Sequence, residues 1–256
     1  MQKLSTETDI ESWMRRLDES GRRIIMLDYD GTLAPFTPNR DKAFPYPGLR
    51  EILERLQANP KNRLIIVSGR AIADLQKLLQ LDPSPEIWGS HGLEHRTPDG
   101  EYELTNIDSD TLERIDRAAS TISGKVPVDA LERKPSSVAV HWRGRTDEEA
   151  ERLRSLAAGL WAEHSSAPNL ELHEFDGGIE LRISSITKAD AVNAILAENE
   201  GIPAVYLGDD KTDEDAFNAL GDKGLRILVR KEHRATAADL WITPPDELFT
   251  LLKRWI

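Results

Sequence analysis

The stretch Ile24-Ile25-Met26-Leu27-Asp28-Tyr29-Asp30-Gly31-Thr32-Leu33 decides how this chain is read. Four apolar residues in a row read as a short strand buried on both faces. The run ends in two carboxylates one residue apart, followed by glycine. In open α/β sheets the carboxyl ends of the strands form the edge where ligands bind. Two carboxylates so placed offer a nucleophile or metal ligand and a proton-transfer group in one small space. Asp-Gly is also a hairpin turn, but between strands of alternating pattern. Here the upstream run is continuously apolar, and Pro35, Pro38, Pro45 and Pro47 downstream deny it a partner strand.

Outward from this stretch the chain repeats one rhythm. A helix over residues 8–20 precedes the strand at 23–27. A helix at 48–58 follows, with Leu49, Ile52, Leu53 and Leu56 on one face. Arg63-Leu64-Ile65-Ile66-Val67 is a second buried strand ending at Ser68-Gly69-Arg70. A helix at 71–81 leads to the strand Glu86-Ile87-Trp88-Gly89, which runs into Ser90-His91-Gly92-Leu93-Glu94. Strands alternating with helices predict a doubly wound, Rossmann-like parallel sheet covered on both faces. The rhythm then changes. A helix at 108–123, strands at 126–133 and 136–142, a helix at 146–164 and strands at 170–175 and 179–183 follow. The last two strands flank a hairpin turn, Asp176-Gly177-Gly178. Helix-strand-strand, twice, is an α+β unit. From Lys188 the first rhythm returns: a helix at 188–198, the strand Ala204-Val205-Tyr206-Leu207, a helix at 213–220, strands at 225–229 and 240–242, and a final helix from Asp246. The expected organisation is an α/β core over 1–104 and 183–256, interrupted by an inserted α+β cap over 105–182.

Composition narrows the function. The 256 residues carry 33 Lys plus Arg against 45 Asp plus Glu, a net charge of −12. That balance argues against a nucleic-acid partner, which needs a basic stripe. It leaves room for an anionic substrate, because local lysines and a metal reverse the field inside a cleft. There is no cysteine, so disulfides and thiolate zinc sites are excluded. No apolar run approaches the roughly 20 residues of a spanning helix, and the first residues show no signal core. A cytoplasmic monomer without a membrane partner is the expectation.

Three core strands end in chemistry: Asp28 and Asp30 after the first, Ser68 after the second, and Gly208-Asp209-Asp210-Lys211-Thr212-Asp213-Glu214-Asp215 after the strand at 204–207. In a parallel sheet these ends share one edge. Asp28, Asp209 and Asp213 are therefore candidates to converge on a hard cation, and a few carboxylates with water and a phosphate oxygen suit Mg²⁺. Carboxylates gathered without a cation would repel and raise one another's pKa values. Acidic residues also favour helix N-termini, and Glu214 and Asp215 are expected to do only that. Lys188 opens a helix, where a cation is unfavourable unless it faces an anion.

Taken in order, Asp28-Tyr29-Asp30-Gly31-Thr32, Ser68, Lys188 and Gly208-Asp209-Asp210 resemble the four motifs of the haloacid dehalogenase superfamily of phosphatases. More narrowly, the chain resembles trehalose-6-phosphate phosphatases across residues 23–230. Val67-Ser68-Gly69-Arg70, His91-Gly92-Leu93-Glu94 and the segment from Gly208 to Phe217 carry that likeness. The resemblance implies Asp28 as nucleophile, Asp30 as general acid/base, and Ser68 and Lys188 as phosphate ligands. It implies Asp209 as a Mg²⁺ ligand, with Asp30 contributing its backbone carbonyl and Asp210 and Asp213 as further metal candidates. Gly69, Arg70 and His91 are its further substrate contacts. In the insert, Glu132, Lys134 and Glu180 match the residues that grip the disaccharide, with the cap closing over the sugar. Ile183 and Ala189 stand where the family usually carries proline and glycine.

The implied activity is hydrolysis of trehalose 6-phosphate to trehalose and phosphate. The alternatives are a phosphatase for another sugar phosphate, of sucrose-phosphate or mannosylglycerate-phosphate type, and a non-catalytic regulatory domain. A receiver domain also pairs acidic residues with a lysine on a doubly wound sheet, but the inserted module and the Asp-X-Asp-Gly-Thr spacing argue against it.

Overall fold

The computed structural model describes every residue except 6, 7, 38, 106, 136 and 176. The expected first residue of one strand, Ser136, the turn residue Asp176, and Pro38 therefore lie outside the described residues. The chain divides into two compact units, Met1–Leu104 with Thr187–Ile256, and Thr105–Ile186. The first segment contains β1 (Gln2–Lys3), α1 (Ile10–Glu19), β2 (Arg23–Leu27), α2 (Leu49–Ala58), β3 (Asn62–Val67), α3 (Ile72–Leu79), β4 (Glu86–Gly89), β5 (Glu94–Arg96) and β6 (Tyr102–Leu104). The second unit contains α4 (Ser109–Ile122), β7 (Leu131–Lys134), β8 (Ser137–His141), α5 (Asp147–Trp161), β9 (Leu170–Phe175) and β10 (Gly178–Ile183). The chain then returns through α6 (Lys188–Ala197), β11 (Ala204–Gly208), α7 (Asp213–Leu220), β12 (Gly224–Val229), β13 (Leu240–Ile242) and α8 (Asp246–Leu252).

The first unit is built on one sheet of order β1-β13-β12-β11-β2-β3-β4-β5-β6. Its six central strands, β13 to β4, pair in parallel. The buried runs drive this: their side chains alternate between two cores, so no face can be given to water. Ile25 and Leu27 of β2, Leu64 and Ile66 of β3, and Val205 and Leu207 of β11 enter one core with residues of α1, α2, α3 and α8. Ile24 and Met26, Ile65 and Val67, and Ala204 and Tyr206 enter the other, with residues of α6 and α7. The expected parallel core is present, and the sheet extends beyond it. β1, β5 and β6 add antiparallel edges. These are two or three residues long and largely polar, so they carry no periodic signal of their own.

The second unit has an antiparallel sheet of order β7-β8-β10-β9. Val138 and Val140 of β8 and Ile179 and Leu181 of β10 face a core closed by Ile115, Ala118 and Ile122 of α4 and Leu153, Ala157 and Trp161 of α5. Ile183 and Ile186 also pack in that core. The strand expected from residue 126 begins only at Leu131, because a 3₁₀ turn occupies Val128–Ala130. Helix α5 starts at a capping box between Thr146 and Glu149. Trp161 is fully buried, and its indole N–H donates to the Ala118 carbonyl at 3.1 Å. Replacing it by alanine opens a large cavity and removes that hydrogen bond, although the Ala118 carbonyl still accepts from Thr121 Oγ1 at 2.8 Å. Trp161→Ala should lose about 3–5 kcal/mol in urea unfolding followed by circular dichroism. A loss under about 1 kcal/mol would mean the site collapses around the missing ring.

Candidate active site

Strand β2 lies between β11 and β3, with Leu27 paired to both Leu207 and Ile66. The Asp28 N–H continues the ladder to the Leu207 carbonyl at 2.9 Å. The ends of β2, β3 and β11 therefore form one rim carrying Asp28, Ser68 and Asp209. Carboxylate oxygens of Asp28, Asp209 and Asp213 all lie within 4.8 Å of one another, and all three residues are buried. Two glycines permit this crowding. Gly31 has φ +81°, and a Cβ there would stand 2.1 Å from Asp209 Oδ2. A Cβ on Gly208 would stand 2.3 Å from Asp213 Cγ.

The Lys188 ammonium, buried at the first turn of α6, donates to Asp28 Oδ1 and to Asp213 Oδ1, each at 2.7 Å. One cation faces three carboxylates. Burial, then the Asp213 charge, pushes the Asp28 carboxyl up to about 7, although Lys188 opposes the rise. Burial and the neighbouring Asp28 and Asp213 push Asp209 well above the usual carboxylate range. Burial alone would lower the Lys188 pKa, but Asp213 and Asp28 overcome that and hold it charged.

Hydrogen bonds divide the acidic residues into two kinds. Asp213 Oδ1 also accepts from the Tyr206 hydroxyl at 2.8 Å, and Oδ2 accepts from the Asp209 and Asp210 N–H groups, both at 2.9 Å. Its oxygens are thus already occupied. Asp209 Oδ1 is buried and accepts no hydrogen bond from any described residue. A buried carboxylate oxygen left without a donor calls for a cation or water. The all-oxygen donor set and surplus negative charge of Asp28, Asp209 and Asp213 fit a hard cation such as Mg²⁺, and Asp213 also orders the loop behind. The carboxylate of Asp210 is not part of the cluster; its backbone serves Asp213.

Asp30 points into a different contact. Its carboxylate accepts a two-pronged hydrogen bond from Arg70, Nε to Oδ2 at 2.6 Å and Nη2 to Oδ1 at 2.7 Å. Ser68 is buried, and its Oγ accepts from the Arg70 N–H at 3.2 Å. The ring of His91 lies against Gly69, where a Cβ would meet it at 2.6 Å. His91 and its neighbours Ser90 and Gly92 all have positive φ (61°, 49° and 108°). Two non-glycine residues in that region store strain of about 1–3 kcal/mol each. The His91 N–H donates to the Ser68 carbonyl at 3.0 Å and the Ser90 N–H to the Arg70 carbonyl at 2.8 Å, which fixes the strained turn to the end of β3.

In the second unit, Glu132, Ala139 and Glu180 are paired side by side across β7, β8 and β10. They stand on the sheet face opposite the apolar core. Glu180 Oε1 accepts from Lys134 Nζ at 3.0 Å and from Ser137 Oγ at 2.6 Å. Glu132 Oε2 lies 2.7 Å from His141 Nε2 and 3.8 Å from Lys134 Nζ. Both glutamates are buried. Glu132, Lys134 and Glu180 thus share one polar cluster, joined by Ser137 and His141.

The family model described as trehalose-phosphatase matches residues 26–241. A probable trehalose-phosphate phosphatase C of Arabidopsis thaliana is 31% identical, over 93% of this chain and 78% of the relative. The chain belongs to the trehalose-phosphatase family. A trehalose-phosphate phosphatase of Mycobacterium ulcerans is 32% identical over 85% of this chain, which spans 57% of that relative's length. The C-terminal domain of a Candida albicans trehalose-6-phosphate phosphatase shares the fold, with TM-score 0.82 and 22% identity over 100% of this chain and 99% of that one. A haloacid dehalogenase-like hydrolase from Bacteroides thetaiotaomicron also shares the fold, with TM-score 0.67 and 19% identity over 92% of this chain and 100% of that one.

Family motifs alone did not reveal everything at this site. Glu214, expected only to favour the helix dipole of α7, accepts from Arg234, from Thr236 Oγ1 at 2.7 Å and from the Ala237 N–H at 2.7 Å. Arg234 in turn donates to the carbonyls of Asp209 at 3.1 Å and Asp210 at 2.6 Å, and Arg230 donates to that of Asp209 at 3.2 Å. The loop bearing Asp209 is therefore clamped by arginines from an aperiodic segment. Tyr206 was legible in principle as the one hydroxyl in the apolar run 204–207. A carboxyl whose folded pKa is raised costs stability once ionised, so the cost grows from the ordinary value, 3.8, up to about 7. In the presence of chelator, wild type should lose thermal stability relative to Asp28→Asn between those pH values and hold a constant deficit above them. A difference that is flat with pH would refute the assigned burial cost.

Proposed function

We propose that this protein is a Mg²⁺-dependent phosphatase hydrolysing trehalose 6-phosphate through an aspartyl-phosphate on Asp28. The observation that carries the reading is the buried Asp28–Lys188–Asp213 ion cluster beside the unpartnered Asp209 oxygen, in a chain matched by the trehalose-phosphatase family. Lys188 fixes Asp28 Oδ1 and so orients the other carboxylate oxygen. Asp28 attacks phosphorus, and the bond from phosphorus to the sugar oxygen breaks. Asp30 donates a proton to the departing oxygen. It then takes a proton from water as that water attacks the aspartyl-phosphate, which regenerates the Asp28 carboxylate and releases phosphate. Ser68 and Lys188 bind phosphoryl oxygens, and the ammonium offsets the charge that accumulates on them. Asp28, Asp209 and the Asp30 carbonyl would hold Mg²⁺, which would supply positive charge to keep both carboxylates ionised and polarise the phosphoryl group. Glu132, Lys134 and Glu180 supply hydrogen bonds to sugar hydroxyls. Their mixed charge suits a polar, uncharged disaccharide better than a second anion.

A panel of sugar phosphates, assayed for phosphate release with Mg²⁺ and with EDTA, tests the reading. Trehalose 6-phosphate should be turned over fastest, chelation should stop it, and Asp28→Asn should abolish it with the fold intact by circular dichroism. Preference for a sucrose or mannosylglycerate phosphate would move the substrate but keep the chemistry. Phosphate release by folded Asp28→Asn would sink the covalent route.

Alanine at Glu132 or Glu180 should cost about 1–3 kcal/mol in kcat/KM for trehalose 6-phosphate. The loss on p-nitrophenyl phosphate, which has no sugar, should be much smaller. Equal losses on both substrates would assign these residues to folding of the second unit.

A further inference from the structure

Arg70 has its guanidinium committed within the first unit. Nε and Nη2 grip the two oxygens of Asp30, and Nη1 donates to the Arg40 carbonyl at 2.9 Å. The guanidinium carbon stands 5.7 Å from the centre of the Tyr29 ring, and the Tyr29 hydroxyl is itself tied to the Ala43 carbonyl at 2.7 Å. The Arg70 side chain is 13% exposed, against 33% for Asp30. A planar fork on a carboxylate fixes both the position and the plane of that group. Here the fork grows from the loop after β3, its partner from the loop after β2, and its third anchor from the turn at Arg40–Lys42. The backbone of Asp30 is held as tightly, since the Gly31 N–H donates to the Ala34 carbonyl at 2.8 Å and the Ala34 N–H to the Tyr29 carbonyl at 3.0 Å.

We propose that Arg70 is a positioning residue for the proton-transferring carboxylate of Asp30, and not a contact for the phosphate of the substrate. This rests on the reading of Asp30 as general acid/base. The two roles separate chemically. An arginine that binds phosphate acts on every phosphate ester. An arginine that aims the acid matters for a sugar leaving group, whose alkoxide must be protonated as it departs. It matters little for formation of the aspartyl-phosphate from an aryl ester, whose phenolate leaves without that proton. kcat/KM reports the steps through that first phosphoryl transfer, so the comparison is made there.

Arg70→Gln and Arg70→Lys, assayed as the full chain with Mg²⁺, are compared on trehalose 6-phosphate and p-nitrophenyl phosphate, with inorganic phosphate as inhibitor. Loss of the fork should lower kcat/KM on the sugar ester by roughly 10²-fold, the size of effect expected when a catalytic group is misplaced by about 1 Å. On the aryl ester the fall should be within about threefold, with the phosphate inhibition constant moved no further. Lysine keeps the charge but not the fork, and should fail to rescue. In an Asp30→Asn background, Arg70→Gln should add nearly nothing on the sugar ester. Equal losses on both esters with weakened phosphate inhibition would overturn the proposal and make Arg70 a phosphate ligand. An undiminished effect of Arg70→Gln in the Asp30→Asn background would overturn it as well. If Asp30→Asn itself fails to depress the sugar ester more than the aryl ester, the acid/base reading of Asp30 falls, and this proposal falls with it.

Discussion

The Lys188 ammonium is the contact on which the site depends. It bridges Asp28 and Asp213 at 2.7 Å each, 160 and 25 residues away in the chain. Asp28 belongs to the segment before the second unit; Lys188 and Asp213 belong to the segment after it. One buried cation therefore ties together the two halves of a unit that the chain leaves and re-enters. A lysine at the N-terminal turn of α6 opposes the helix dipole and has left water, so its position is stable only because two carboxylates face it. Asp213 and Asp28 in turn have left water because that cation is present. Removing the lysine from such an arrangement leaves the buried carboxylates uncompensated, which typically costs about 3–5 kcal/mol. The ion cluster is thus a constraint on the fold as well as on the chemistry.

The remaining negative charge is distributed unevenly. Asp213 receives four hydrogen bonds, from an ammonium, a phenol and two backbone N–H groups. Asp209, four residues earlier, keeps a buried oxygen without a described donor. The same side chain does opposite work at the two positions. Where its lone pairs are filled, aspartate orders a loop; where one is left open, it is ready for a cation. Arg230 and Arg234 reinforce this division by binding the backbone carbonyls of Asp209 and Asp210. Cations placed on the carbonyls steady the loop without neutralising the open carboxylate. Glycine at 31 and 208 completes the design, since any side chain there would push Asp209 or Asp213 out of register.

The sequence was most legible where burial forces a pattern. β2, β3 and β11 are covered on both faces, so their apolar runs are continuous, and the residues that end them had to lie on one rim. That logic located Asp28, Ser68 and Asp209, and the anomalous position of Lys188 at a helix start pointed to its anion partners. Legibility failed where a role depends on a partner distant in sequence and free of periodicity. The clamp on Glu214 comes from Arg234 and Thr236 in an irregular loop, and nothing in the local spacing of either segment announces the other. The resemblance implied Arg70 as a substrate contact, and nothing in its local spacing announced the partners its donors have at Asp30 and the Arg40 carbonyl. The edge strands β5 and β6 were missed for a simpler reason: at three residues each they are held by backbone pairing, which any composition can supply.

The second unit obeys the other rule for sheets, with one face packed and one face polar. Along β8 and β10 the residues Val138, Val140, Ile179 and Leu181 build the core, while Ala139 and Glu180 stand on the opposite face. The period of two keeps these populations apart, so the polar face can change residue by residue without disturbing the packing beneath it. Ala139, paired with both Glu132 and Glu180, leaves room between two glutamates that a larger side chain would fill. Lys134 reaches both of them and moderates their repulsion. The centre of the first unit has no such freedom: β2, β3 and β11 are buried on both faces, and Asp28, Ser68 and Asp209 stand just beyond their ends, held by specific partners or left open. A fold divided in this way holds a rigid set of buried charges in one unit and a tolerant polar face in the other.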